Sequence, residues 1–297
     1  MSLAFLDIPT VSAFHDHYDY GKPKHPLITI VDMPSADRKR PAGTVSYRLG
    51  LYSIVCKRFE GVLRYGRSTY DFQEGTLMFT APGQVLTPQP GIRTVEGWGL
   101  FFHPDLLNRS ELGRKIQEYS FFNYDVNEAL HISDEENQVL QDCMKKIGKE
   151  YAQNIDKHTT RLIIDNLQLM LNYCNRFYDR QFLTRAKVNN DIVQRFERAL
   201  ADRLAADADG IPDVKFFAGE LHLSAGYLSD LLHRYTGKTT QEHIHLKLID
   251  KAKSLLWGTE KPVSEIAYEL GFDYPSHFAK LFKARMGVSP SEYRKMN

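Results

Sequence analysis

The stretch VSEIAYELGFDYPSHFAKLFKARMG, from Val263 to Gly287, repeats the pattern of an earlier stretch, VKFFAGELHLSAGYLSDLLHRYTG, from Val214 to Gly237. Matching apolar positions are 49 residues apart up to Phe272 and 50 residues apart after it. Each copy has apolar residues at the spacing of one helical face, then a turn, then a second apolar set and a closing glycine. We therefore predict a helix-turn-helix unit in each copy, a motif whose second helix can enter the DNA major groove.

The segment between the copies, from Thr240 to Trp257, is predicted to be one helix. Its apolar positions are Ile244, Leu248, Ala252, Leu255 and Leu256. At 1.5 Å per residue, such a helix can hold two reading helices roughly one DNA turn (~34 Å) apart. A single helical hairpin often binds nothing, whereas two copies with the same spacing favour DNA binding.

Three segments near the C-terminus follow one another in a recognisable order. They are LSAGYLSDLLHRYTGKTTQEHI (Leu223 to Ile244), KAKSLL (Lys251 to Leu256) and VSEIAYELGFDYPSHFAKLFKARMGVSPSEYRK (Val263 to Lys295). By these motifs, residues 191–297 resemble the DNA-binding domain of AraC/XylS-type bacterial transcription regulators. The resemblance implies a seven-helix domain that binds promoter DNA sequence-specifically, with RNA polymerase as a further partner of an activator.

In that family, exposed side chains in the first turns of each reading helix contact DNA. Carried over to this sequence, the DNA-contacting residues are Ser229, Asp230, His233, Arg234, Ser276, His277, Lys280 and Lys283. The first helix departs from the family pattern, because Gly226 has no side chain and Asp230 is acidic. Asp230 can accept from cytosine N4 or can be an ordinary solvated residue. Lys280 can donate to guanine, or it can belong with Lys283 to a solvated basic face.

The distribution of charge restricts where DNA can bind. The whole chain has a net charge of only +1, and residues 191–297 hold equal numbers of basic and acidic residues. From Pro275 onward, however, Lys280, Lys283, Arg285, Arg294 and Lys295 are opposed only by Glu292. Because phosphate contacts supply much of the affinity, we expect moderate, salt-sensitive binding that needs two copies of the chain.

Residues 26–103 have a different character from the C-terminal part. Short aromatic or β-branched runs at 26–31, 45–55, 75–80 and 97–102 are separated by Gly and Pro turns, which predicts an all-β barrel or sandwich. The run from Tyr52 to Val85, the stretch LFFHPDLL (Leu100 to Leu107) and two following helices resemble a cupin-like ligand-binding domain. The resemblance implies a small effector inside the barrel. The aromatic pocket candidates are Tyr52, Tyr65, Tyr70, Phe72 and Trp98.

The two helices after the β region carry the candidate dimer surface. The first begins at Ser133, where Glu136 completes a capping box. The second runs from about Lys157 to Arg180 and has two apolar stripes. One stripe is Ile163, Leu167, Met170, Cys174 and Phe177, and the other is Leu162, Leu169 and Tyr173. We interpret the first, heptad-like stripe as a homodimer seam. The alternative is that both stripes are buried within one subunit.

These observations predict an α+β, multidomain chain. A cupin-like β-barrel with two helices would occupy residues 1–180, a polar linker 181–190 and an all-α DNA-binding domain 191–297. A ligand that binds two conformations unequally would shift the relative placement of the DNA-binding domains. As an alternative, the N-terminal part is only a scaffold that dimerises or contacts another protein.

An enzyme is the other alternative. A cupin metal site needs two His residues at i and i+2, a Glu soon after and a later His. His15 and His17 have the first spacing, but they precede the β region and no suitable Glu follows them. The sequence has no GxSxG, GxGxxG or Walker motif, so we expect no catalytic residue, metal or cofactor.

Cysteine use and hydropathy suggest a cellular location. Cys56, Cys143 and Cys174 are widely spaced and odd in number, which argues against a disulfide framework and a CxxC metal site. No apolar run approaches the ~20 residues that span a membrane, and the N-terminus lacks the pattern of a signal peptide. We therefore expect a cytoplasmic protein that does not bind membranes.

Overall fold

A computed structural model describes residues 5–33, 46–60, 63–65, 68–70, 75–86, 93–125, 128–206 and 210–296. The chain divides into two compact units, Met1–Thr184 and Arg185–Asn297. In the described residues, sheets belong to the first unit and the second unit is helical. This arrangement confirms the predicted α+β class at that level.

The described part of the N-terminal unit contains ten strands. They are β1 Phe5–Ile8, β2 Ile28–Asp32, β3 Ser46–Leu49, β4 Tyr52–Glu60, β5 Leu63–Tyr65, β6 Ser68–Tyr70, β7 Thr76–Thr80, β8 Val85–Leu86, β9 Arg93–Phe102 and β10 Leu130–His131. One sheet has the order β1-β3-β8, a second has the order β10-β7-β4-β9-β2, and β5 pairs with β6. β1 is parallel to β3, whereas the central strand β4 is antiparallel to both of its neighbours.

The predicted run at 45–55 forms two strands rather than one. The chain turns at Gly50, whose amide donates to the Ile8 carbonyl at 2.9 Å. A Cβ atom at Gly50 would lie 2.8 Å from the Pro9 Cα. The close approach of the N-terminal segment therefore requires glycine at the point where β3 ends.

Four helices complete the described N-terminal unit. They are α1 Val11–His17, α2 Glu111–Lys115, α3 Asp134–Ala152 and α4 Thr159–Thr184, with short 3-10 turns at Pro104–Leu107, Ile116–Glu118 and Ser120–Asn123. The predicted capping box is present, because the Ser133 and Glu136 side chains each bond the other's backbone amide. Between the 3-10 turn at Ser120–Asn123 and α3, the described residues form only the two-residue strand β10.

The apolar stripe that we predicted as a dimer seam is buried inside the N-terminal unit. Its residues Ile163, Leu167, Met170, Cys174 and Phe177 are at most 7% exposed. α4 packs along α3 and against β10, so the unit itself covers this face. The exposed apolar residues of α4 instead include Leu162 and Leu169, which are 42% and 40% exposed.

The described part of the C-terminal unit contains seven helices around one core. They are α5 Ala186–Ala205, α6 Val214–Leu221, α7 Ala225–Thr236, α8 Thr240–Gly258, α9 Val263–Glu269, α10 Pro275–Met286 and α11 Pro290–Arg294. α8 corresponds to the predicted connecting helix, and its Leu248 and Ala252 are almost fully buried in a core shared with Phe217 and Phe278. Both helix pairs are therefore held by one apolar cluster.

The polar stretch 181–190, which we predicted as a linker, is helical except at Arg185, because α4 ends at Thr184 and α5 begins at Ala186. Two of its polar side chains are buried. Gln181 bonds the His131 amide at 2.8 Å and the Ala129 carbonyl at 3.1 Å, and Asn189 donates to the Tyr235 hydroxyl at 3.2 Å. Its polar composition thus reflects buried hydrogen bonds. The boundary between the units falls within this stretch.

None of the described helices has the length and apolar character needed to cross a membrane.

Candidate nucleic-acid interface

The two helix pairs of the C-terminal unit are built on related turns. In the first pair, α6 ends at His222, which has a left-handed φ of 57°, and Ser224 caps α7 by accepting from the Tyr227 amide. In the second pair, the corresponding left-handed position is Gly271, with a φ of 87°. A Cβ atom at Gly271 would lie 2.7 Å from the Gly210 carbonyl carbon, so this position requires glycine. The sequence repeat therefore corresponds to a repeated helix-turn-helix backbone.

The second helix of the second pair, α10, presents a polar face. Ser276, His277, Lys280 and Lys283 are all exposed, and their spacing places them along one side of the helix. Phe278 and Phe282, which are at most 1% exposed, fix the other side in the core. The structure therefore brings together the four residues that the sequence predicted for this helix.

The corresponding helix of the first pair, α7, offers a smaller polar surface. His233 and Arg234 are exposed, whereas Asp230 is half-buried. The Ser229 hydroxyl lies 3.1 Å from the hydroxyl of Thr240, which is fully buried at the start of α8. Ser229 therefore packs against its own domain. With Gly226 lacking a side chain, α7 has fewer groups to offer a ligand than α10.

Arg294, one of the five basic residues after Pro275, stabilises the fold of the C-terminal unit. Arg294 donates from Nε to the Leu256 carbonyl at 3.1 Å and from Nη2 to the Lys261 carbonyl at 2.7 Å. These bonds satisfy carbonyls at and beyond the end of α8. Lys280, Lys283 and Arg285 remain exposed on α10. Burial, together with the nearby Arg285 charge, lowers the pKa of His245 on α8.

Sequence reasoning missed one aromatic residue beside the α10 face. Tyr274 immediately precedes the helix and is 62% exposed. Its ring centroid lies 5.3 Å from that of His277, with the rings tilted by 64°. The signal in the sequence that could have identified Tyr274 is an aromatic residue directly before an amphipathic helix. Tyr274 restricts the orientation of His277 and adds an apolar contact surface to the face.

The N-terminal unit contains a separate cavity of about 300 Å³. Both sheets line it: β3 and β8 contribute Tyr47 and Leu86, and β4 contributes Ser53, Val55 and Lys57. Side chains from α1, β7, β9, α4 and the segment before β10 complete the wall. Apolar and aromatic side chains predominate, which is typical of small-molecule sites.

Two of the aromatic residues predicted for the pocket, Tyr52 and Trp98, point away from this cavity. Tyr52 is adjacent to the cavity-lining Ser53 and therefore points to the opposite face of β4, where it stacks on Phe102 at 5.2 Å. Trp98 is an odd number of residues from the cavity-lining Phe101, so it also points away. Phe72 and the side chains of Tyr65 and Tyr70 lie outside the described residues.

Of the side chains considered for metal binding or covalent chemistry, His15 is hydrogen-bonded through both ring nitrogens and the three cysteines are buried. His15 bonds the Gly21 carbonyl at 3.0 Å and the Thr29 hydroxyl at 2.8 Å through its two ring nitrogens. All three cysteines are buried and unpaired. Burial, with a smaller contribution from Glu96, raises the pKa of Cys56 to about 12. Within the described ranges, no cluster of three or more His, Cys, Asp or Glu residues could hold a metal ion.

Comparison with known proteins identifies a helix-turn-helix domain in the C-terminal unit. A family model described as a helix-turn-helix domain matches residues 217–296. YijO of Escherichia coli strain K12, an uncharacterized HTH-type transcriptional regulator, is 23% identical over 64% of this chain and 64% of its own length. The HTH-type transcriptional activator RhaS of Enterobacter sp. strain 638 is 38% identical over 24% of this chain and 26% of its own length.

Among solved structures, the C-terminal domain of the response regulator yesN from Fusobacterium nucleatum matches with a TM-score of 0.33 and 28% identity. That match covers 35% of this chain and 98% of the other. The chain spans less than two thirds of the length of YijO and about a quarter of RhaS. The residues matched by the family model, 217–296, lie within the C-terminal unit.

Proposed function

Because residues 217–296 form an AraC-type helix-turn-helix domain, we propose that this chain is a sequence-specific DNA-binding transcription regulator that acts in the cytoplasm. The observation that carries the proposal is the repeated helix pair, with an exposed polar and basic face on α10. α10 would read bases in one major-groove segment. α7, with fewer exposed groups, would contribute mainly backbone contacts through His233 and Arg234. The chain would regulate genes without being an enzyme.

The N-terminal unit would act as a cupin-like sensor of a small molecule. The supporting observation is its cavity of about 300 Å³, which both sheets line. A filled interior would favour the alternative of a purely structural scaffold. An open apolar cavity instead favours a ligand-controlled regulator.

We further propose that the regulator is a homodimer formed through α4. The exposed residues Leu162, Leu169 and Leu183 follow one another at multiples of seven along this helix. Heptad spacing of apolar residues is the pattern of a helix–helix seam. Two copies would double the phosphate contacts, which suits a domain that has no net charge. RNA polymerase would be a further partner on promoters that the dimer activates.

The helix α4 also connects the sensor with the rest of the chain. Its Tyr178 lines the cavity, and its last residue, Thr184, is separated from α5 by Arg185 alone. A ligand that favours one position of α4 would change the placement of the domain that follows. Such control requires that the ligand bind the two conformations with different affinity.

Fluorescence anisotropy of the purified full-length chain tests the proposed function. The probes are DNA from upstream of its own gene and a scrambled duplex of equal length and composition, each titrated at several salt concentrations. We expect tighter binding to the upstream DNA and a linear fall of log affinity with log salt. Equal affinity for both duplexes would contradict sequence-specific reading, and absence of binding at low salt would favour the scaffold.

A further inference from the structure

The size of the N-terminal cavity restricts what it can hold. Its volume of about 300 Å³ is roughly twice that of an engineered apolar cavity of ~150 Å³ that binds one benzene molecule. A molecule of two fused rings therefore fits this volume. A single ring would leave part of the apolar wall without contact, which forfeits dispersion energy.

The wall of the cavity is rich in aromatic rings. Phe14 lies 4.5 Å from Phe101 and 4.8 Å from Tyr18, measured between ring centroids. In a second group, the Phe121 ring stacks on Tyr178 at 5.3 Å. All five of these side chains line the cavity. Such surfaces favour a flat, unsaturated ligand, because rings pack on one another in stacked or edge-on geometry.

Charge and hydrogen bonding at the wall indicate a neutral ligand. In the described part of the wall, the charged residues are Lys57 and Asp125, whose formal charges cancel. Ser53 and Thr80 bond to each other through their hydroxyl groups. Gln84 is engaged at both ends, since it donates to the Phe122 carbonyl at 3.0 Å and accepts from the Ala81 amide at 3.1 Å. Because Ser53, Thr80 and Gln84 already have hydrogen-bond partners, they do not require a strongly polar ligand.

Tyr47 differs from these polar residues. It lines the cavity and is 93% buried, and its hydroxyl has no hydrogen-bond partner among the residues that the structure describes. Beside it, 6.3 Å away between ring centroids, His17 has a buried Nε2 that likewise lacks a partner within the described ranges. Buried polar groups are rarely left unpaired in folded proteins. A hydroxyl can both donate and accept, so a ligand with one polar group would satisfy Tyr47.

We propose that the cavity binds a neutral, fused-ring aromatic molecule that carries a single hydroxyl or carbonyl group, with that group bonded to the Tyr47 hydroxyl. This inference rests on the proposed function, in which the same molecule is the effector. The rings pack among Phe14, Phe101 and Tyr178, and the polar group lies toward β3.

Equilibrium dialysis of the full-length chain tests the proposal with four probes: β-naphthol, naphthalene, naphthoate and glucose. We expect β-naphthol to bind about three- to tenfold more tightly than naphthalene, the effect of one hydrogen bond. Naphthoate should bind more weakly than β-naphthol, because its charge must be desolvated. Glucose should show no measurable binding. Tighter binding of glucose or naphthoate than of β-naphthol would overturn the proposal, as would no binding of β-naphthol.

Two variants locate the site. Tyr47→Phe removes only the unpaired hydroxyl, so we expect it to leave naphthalene affinity unchanged and abolish the preference for β-naphthol. Met78→Trp fills the cavity from a half-buried position and should weaken both probes at least tenfold. Its unfolding midpoint, compared with that of the parent chain, controls for misfolding. A preference that persists in Tyr47→Phe, or unchanged binding to a folded Met78→Trp variant, would refute the assigned site.

DNA binding, measured without any probe, separates this inference from the proposed function. If the chain binds its upstream DNA but none of the aromatic probes, the ligand class is wrong and the regulator stands. If β-naphthol binds through Tyr47 but the chain does not bind DNA, the cavity assignment stands and the regulatory role is wrong.

Discussion

At the scale of single residues, Lys280 is the strongest candidate for a DNA contact. It is exposed in the second turn of α10, and the buried Phe278 and Phe282 hold the helix in place. We expect Lys280→Ala to weaken binding to the upstream DNA several-fold. If Lys280 contacts phosphate, the slope of log affinity against log salt falls by about 0.9. If it contacts guanine, the preference over scrambled DNA falls instead.

Lys253→Ala is a matched control for this variant. Lys253 lies on α8 and pairs with Asp250 on the same helix at 3.4 Å, so its loss removes the same charge from a different surface. We expect its affinity to stay near that of the parent chain. Equal losses in the two variants would show that net charge, and not the α10 face, determines binding.

The cysteines give a second prediction at this scale. All three are buried, and the pKa of Cys56 is raised to about 12, mainly by burial. The reactive species is the thiolate, so at pH 8 we expect an aromatic disulfide reagent to modify no thiol in the folded chain and three in denaturant. Rapid labelling of the folded chain would contradict the burial of these groups.

The raised pKa of Cys56 also affects stability at high pH. An unfolded thiol loses its proton near pH 8.5, whereas the folded thiol keeps it until about pH 12. The unfolded state therefore binds fewer protons, and the free energy of unfolding should fall as the pH rises through this range. Cys56→Ala should reduce that fall in denaturant titrations. An unchanged pH dependence would mean that other groups cause it.

At the scale of helices and strands, the sequence predicted the positions of the helices better than it predicted which faces of the helices and strands point inward. The repeat at 214–237 and 263–287 located four helices, because helical spacing and glycine at the turns are local properties. The cavity residues could not be found in this way. Ser53, Val55 and Lys57 are not aromatic, so the choice of aromatic pocket candidates does not include them. The face of β4 that meets the cavity depends on the pairing of β4 with β9, whose Phe101 lies opposite Ser53.

The helix α4 shows the same limitation. Its two stripes were visible in the sequence, but the stripe predicted as the seam is the buried one, because only the folded unit shows that α3 and β10 cover the face containing Leu167 and Met170. Two apolar faces with similar periodicity cannot be distinguished without knowing the neighbouring elements. The exposed stripe of Leu162 and Leu169 became the dimer candidate for this reason.

The dimer proposal predicts the effect of charge on that stripe. Replacing Leu162 and Leu169 together by Asp should yield a monomer in analytical ultracentrifugation, because like charges would face each other across the seam. The fold should be retained, since both side chains are about two-fifths exposed. Asn175→Asp, at an exposed position elsewhere on α4, should remain dimeric. A dimer that survives the double substitution would place the interface elsewhere.

At the scale of the whole molecule, each unit has a core of its own. The two tryptophans report on them separately, with Trp98 in the first unit and Trp257 in the second. We expect residues 185–297, produced alone, to fold with the same urea midpoint that Trp257 reports in the full-length Trp98→Phe variant. If the N-terminal unit dimerises as proposed, the affinity of this fragment for upstream DNA should be at least tenfold lower than that of the full-length chain.

The full-length Leu162→Asp/Leu169→Asp variant is the appropriate comparison, since it separates loss of dimerisation from loss of the N-terminal unit. An isolated C-terminal unit that binds as tightly as the full chain would show that dimerisation does not contribute. A fragment that fails to unfold cooperatively would show that its core depends on the first unit.

The order of the two units along the chain has a consequence during synthesis. β2 pairs with β9 through residues as distant as Ile28 and Phe102, and sheets with such long-range pairing fold in milliseconds to seconds. A ribosome adding about 5–20 residues per second needs roughly 6–23 s to make residues 185–297. The N-terminal unit can therefore fold while residues 185–297 are still being translated. Under the proposed function, the DNA-binding domain would leave the ribosome already joined to a folded N-terminal unit, whereas a chain with the two units in reverse order would present a folded DNA-binding domain first.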